Sequence, residues 1–79
     1  MSEEARVGLL ERQHAYKTTF KGPVAQHVLM DLAYFCRANE STFHDSQKVQ
    51  DNLEGRRQVW LRIQQHLKLT PDQLWELLR

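Results

Sequence analysis

The chain has 79 residues, enough for one domain and too few for a second core. It is 41% hydrophobic and 27% charged, with 3 Gly, 2 Pro and 1 Cys, which excludes collagen-like, low-complexity and disulfide-stapled classes. Eleven basic against ten acidic residues leave +1 with histidines neutral, so overall charge does not select nucleic acid, and no apolar run is long enough to span a membrane.

Met1-Ser2-Glu3-Glu4 is acidic where an export signal would be basic, so no such signal is expected. Ser2 can cap a first helix whose opening acids suit the helix dipole. Val7, Leu10, Ala15 (or His14) and Phe20 form a loose apolar stripe with Leu9 beside it, and Tyr16 and Phe20 share a face. The β-branched Thr18 and Thr19 predict fraying near Lys17, and the first five residues are expected to be the least ordered. Lys21-Gly22-Pro23 is the clearest punctuation: Gly22 can take a left-handed cap conformation and Pro23 suits the first position of a new helix.

From Pro23 to Arg37, Val24, Val28, Leu29, Leu32, Phe35 and Cys36 fall on one helical stripe, which predicts the central core helix. Asn39-Glu40-Ser41-Thr42 reads as a loop from which Phe43 is expected to plug the core. Asp45 offers a cap for a long third helix, Ser46 to about Leu67, with Val49, Leu53, Trp60, Ile63 and Leu67 on its apolar face. Gly55 costs about 1 kcal/mol against alanine inside a helix, which predicts a bend or a close crossing there. Arg56, on the apolar stripe, either sends its head to solvent or pairs with Asp31 or a partner's carboxylate. Thr70-Pro71-Asp72-Gln73 combines a capping threonine, proline at the first position and a capping-box glutamine, with Leu69 and Leu74 as the hydrophobic staple. The short helix that follows must dock to be stable. The expected fold is all-α: a single domain over residues 1–79, built as a three-helix bundle with a short fourth C-terminal helix.

No arrangement of groups predicts a reaction. His14, His27, Cys36, His44 and His66 show no metal-ligand spacing and read as surface or boundary residues, apart from Cys36, which reads as a buried, inert thiol. Asp31, Glu40, Asp45, Asp51 and Glu54 are explained as caps and solvated helix faces. There is no glycine-rich phosphate loop, so no catalytic residue, metal or cofactor is expected. A helix–turn–helix drawn through Arg57–Lys68 and the last helix would turn Asp72 and Glu76 toward phosphates, which is the wrong chemistry. Binding surfaces remain. Arg57, Arg62, Trp75 and Leu78 are the partner-binding candidates, since Trp and Arg dominate interface hot spots, and Gly55, Arg56 and Asp31 are the structural ones. Trp75 can equally dock within the chain.

Ala15-Tyr16-Lys17-Thr18-Thr19-Phe20 leads through Gly22 into Val28-Leu29-Met30-Asp31-Leu32-Ala33-Tyr34-Phe35-Cys36. Thr42-Phe43 then leads to Glu54-Gly55-Arg56-Arg57-Gln58-Val59-Trp60-Leu61-Arg62-Ile63. Between Arg12 and Thr70 the chain resembles a family of small tailed-bacteriophage proteins typified by a Bordetella-phage protein. The resemblance implies a viral protein of the host cytoplasm or the virion, associated with head, portal and packaging genes. It further implies that Gly55 admits the core helix and that Arg56 pairs with Asp31. Three roles follow as expectations: a non-enzymatic contact protein of virion assembly or a minor virion component, an inhibitor of a host enzyme or defence complex, and a weak nucleic-acid binder using Arg57, Arg62 and Lys68. The first is preferred, with a phage structural or host protein, or a second copy of the chain, as partner.

Overall fold

Ser2 lies in extended backbone and its Oγ accepts the N–H of Ala5 at 3.1 Å, opening the first helix as its residue type predicts. The computed structural model describes residues 1–78, with Arg79 outside them. These residues form four α-helices and no strand: α1 (Glu3–Thr19), α2 (Pro23–Phe35), α3 (Gln47–Lys68) and α4 (Pro71–Leu78). The fold is an all-α bundle with a short C-terminal helix.

Local chemistry explains the helix ends. α1 runs through both threonines instead of fraying, because the N–H of Phe20 still reaches the Tyr16 carbonyl at 3.1 Å. Gly22 has φ +91°, backbone that L side chains avoid, and hands the chain to Pro23. α2 stops at Phe35, two residues short of the expected end, because Arg37 turns left-handed at φ 52°. Its N–H reaches the Tyr34 carbonyl and that of Ala38 reaches Ala33, the paired bonds of a Schellman ending. α3 is capped by Ser46, whose Oγ accepts from the Val49 N–H, and not by Asp45 one residue earlier. α4 opens with the reciprocal capping box its sequence predicts: Thr70 N–H donates to Gln73 Oε1 (3.0 Å) and Gln73 N–H to Thr70 Oγ1 (3.2 Å).

Packing differs from the sequence expectation in one main respect. α1 packs on both α3 and α4, and α2 packs chiefly on α3. α2 was expected at the centre, yet it buries only Leu29, with Cys36 just beyond its end. Its Val24 is 80% exposed, and Val28, Met30, Tyr34 and Phe35 are exposed as well. The core lies between α1, α3 and α4 instead, around Leu9, Ile63 and Leu74, with Leu53 and Cys36 toward α2. On α1 the inward stripe is Ala5, Leu9, Gln13, Tyr16 and Phe20, while Val7 and Leu10 face out. Trp60 is half-buried, not central. Phe43 is 74% exposed and plugs nothing, since its loop is held locally, by its N–H on Ser41 Oγ.

The result is a flattened molecule. Its Cα extents are 46 × 31 × 14 Å and its radius of gyration is 14.7 Å, against about 11.6 Å for a compact chain of this length. Its accessible surface is 6006 Å², about 1,000 Å² above what the same mass exposes when fully compact.

Candidate functional site

Two places gather side chains with chemistry: a buried polar node between α1 and the end of α3, and an apolar face that runs from α2 across α3 to α4.

The node is built on His66, which is wholly buried despite the expectation of a surface histidine. Its Nδ1–H donates to the Arg62 carbonyl at 2.8 Å, leaving Nε2 to accept from Arg12 Nε at 3.0 Å. That pair of bonds requires the neutral ring, donor at one nitrogen and acceptor at the other. Tyr16 stacks on it, ring centroids 4.2 Å apart and planes 18° from parallel. Burial holds its pKa below the usual histidine value; the bond to the Arg62 carbonyl opposes this, and the charges of Arg12 and Arg62 add to the depression. Beside it, Gln13 Nε2 donates to the carbonyls of His66 (3.1 Å) and Leu69 (2.7 Å). The end of α3 is therefore capped by a side chain of α1. No buried side-chain polar atom among the described residues lacks a partner. The node is filled and satisfied. It fastens α1 to α3.

The apolar face holds most of the residues singled out from the sequence. A hollow between α2 and α3 is lined by Leu32, Phe35, Cys36, Gly55, Arg56 and Val59. A second, between α3 and α4, shares Val59 and continues through Leu61, Arg62, Leu77 and Leu78. Gly55 lies in the first hollow. A Cβ added there would meet nothing within 4 Å, so the expected close crossing with the core helix is absent. Gly55 instead faces an open notch between Phe35 and Cys36 of the α2 end and Val59 of α3. Arg56 does not pair with Asp31. Its guanidinium lies over the Phe35 ring, 4.4 Å from the centroid, where the ring's π cloud supplies the attraction. Asp31 is exposed one turn before Phe35 on the same side of α2.

The four partner-binding candidates separate. Arg57 Nη1 donates to the carbonyls of Arg37 (3.4 Å) and Ala38 (3.0 Å), which ties the end of α2 to α3. Trp75 is half-buried in a hollow against α1, lined by Ala5, Gly8, Leu9, Arg12 and Leu78. Arg62 and Leu78 lie on the apolar face. Val24, Val28, Phe35 and Val59 belong to that face and were not singled out as partner-binding residues. A helix too rich in apolar residues for the single stripe it buries was the signal.

Among the described residues, no helix is long and apolar enough to cross a membrane. No group of three or more His, Cys, Asp or Glu able to hold a metal occurs among the described residues. The model of the Bbp19-like phage protein family matches residues 16–79, from the last turn of α1 to the end of the chain. No curated protein and no solved structure matches.

Proposed function

The chain belongs to the Bbp19-like phage protein family, and from that premise we propose that it is a non-enzymatic contact protein of virion assembly or a minor virion component. The observation that supports this reading is the state of α2. Val24, Val28, Met30, Tyr34 and Phe35 are exposed together on one short helix, in a chain whose core is already small. Val24, Val28 and Phe35 share one side of α2, and Met30 and Tyr34 lie on another, beside Arg37 and Ala38; grouped exposed apolar side chains mark interaction sites. The partner is a protein, whether phage structural, host or a second copy of the chain, and the site of action is the host cytoplasm or the particle.

Mass spectrometry of purified virions, alongside an affinity pull-down with the tagged chain, tests the proposal. The expected result is recovery of the chain with particles or with assembly intermediates, reduced when Val24 and Val28 are replaced by Glu. Recovery only on a host enzyme from uninfected lysate would replace this reading with inhibition. Salt-dependent retention on DNA, lost in Arg62→Ala and Lys68→Ala, would replace it with nucleic-acid binding. Arg57 is unsuited to that test because its guanidinium already serves the end of α2.

A further inference from the structure

We propose that the α2–α3 face is the seat of a second copy of this chain, giving a two-fold symmetric dimer. The inference rests on the reading above that the chain works by contact, and names the partner of its most apolar face. Three observations converge on this occupant.

Area comes first. A chain of 9.4 kDa exposing 6006 Å² carries about 1,000 Å² more than compact monomers of its mass. A standard stable interface covers about 800 Å² on each partner. Taken over the whole chain, the excess is of the size that one such interface would remove.

Shape comes second. Val24, Val28 and Phe35 are exposed and by helical spacing share one side of α2, a ridge whose last member, Phe35, also lines the notch at Gly55, where an added Cβ would meet nothing within 4 Å. Phe35 joins the two. A two-fold axis between them sets the ridge of each copy against the notch of the other, as a self-complementary interface requires.

Charge is third. The same face presents Asp31 and Arg56, which do not pair with one another in the chain. Across a two-fold axis, Asp31 of each copy meets Arg56 of the other, so the ion pair is made twice. A net charge of +1 per chain opposes the approach only weakly.

Sedimentation velocity of the purified full-length chain, across low to high micromolar concentrations, reads the outcome directly. The expected species has twice the 9.4 kDa chain mass. Val28→Glu is expected to weaken association by about tenfold or more with helix content unchanged. Asp31→Lys and Arg56→Glu are each expected to weaken it, and the two together to restore it. A wild-type chain that stays monomeric throughout overturns the proposal, as does a dimer indifferent to all three substitutions. A double exchange no tighter than its single variants overturns it too, and needs no variant to be perfectly folded, since the comparison is among the exchanges. A monomer that is still recovered with particles sinks the dimer alone and leaves the contact function standing.

Discussion

Arg12 Nε donates to His66 Nε2 across 3.0 Å, so a permanent cation is aimed at the one ring nitrogen that would take a proton. The ring's other nitrogen already donates to the Arg62 carbonyl, and Tyr16 covers its face. Protonating His66 would set two cations against each other, with the imidazole ring buried.

Stability is therefore expected to fall as the solution becomes acidic. The folded pKa of His66 lies below the ordinary 6.5, so between the two values the unfolded chain binds more protons than the folded one. Stability then rises with pH through that window and is lost as pH drops from 6.5 toward the folded value. One group can contribute a slope of at most about 1.4 kcal/mol per pH unit. Thermal melts between neutral and mildly acid pH measure it. In His66→Phe, which keeps a ring on Tyr16 but cannot titrate, this part of the slope should vanish; an unchanged slope would assign it elsewhere.

Gln13 supplies the second fastening of α1 to the end of α3. Its amide serves the carbonyls of His66 and Leu69, at 3.1 and 2.7 Å. Gln13→Leu keeps the volume and strands both acceptors, at a cost of about 2 kcal/mol. In a domain of this size that lowers the melting temperature by about 10 °C. Unaltered melting would show that water replaces the amide at no cost.

The nodes above show why some features were legible in the sequence and others were not. The α4 capping box needed only Thr70 and Gln73, three residues apart, and the structure forms it as read. His66 and Gln13 find their partners more than fifty positions away, and nothing local announces them. The clue available was positional: His66 follows Ile63 by three, and Gln13 follows Leu9 by four, so each continues a buried line. On α2 the pattern correctly marked an apolar helix but could not say what covers it. An amphipathic stripe records that a face avoids water, and the same residues serve equally inside a bundle or between two molecules. Spacing alone likewise could not say that α2 meets Arg56 through the Phe35 ring and not through Asp31, or that Gly55 stays open.

At the end of α2, Arg37 holds φ 52° without being glycine. A β-carbon in this region costs about 1 kcal/mol, while the ion pair from Arg37 to Glu40, at 3.8 Å and well exposed, returns little. Arg37→Gly is expected to stabilise the chain by about 0.5–1 kcal/mol. Chemical denaturation with an unchanged m-value checks it. Arg57→Ala should act in the opposite direction, since it releases the Arg37 and Ala38 carbonyls. Equal losses in both variants would show that the two arginines act through some other contact.

Gly55 yields the prediction that separates stability from association. Its backbone is helical and its surroundings are open, so Gly55→Ala removes a helix penalty of about 1 kcal/mol and introduces no clash. The monomer should melt higher. Gly55→Leu also raises helix propensity but fills the notch beside Phe35 and Val59. If that notch receives a ridge from a second copy, the leucine variant melts at least as high when dilute yet associates less at high concentration. Calorimetry at two protein concentrations separates these effects, because a dimer's melting temperature depends on concentration and a monomer's does not. A leucine variant that melts lower when dilute would restore the close helix crossing at Gly55 that the open notch argues against.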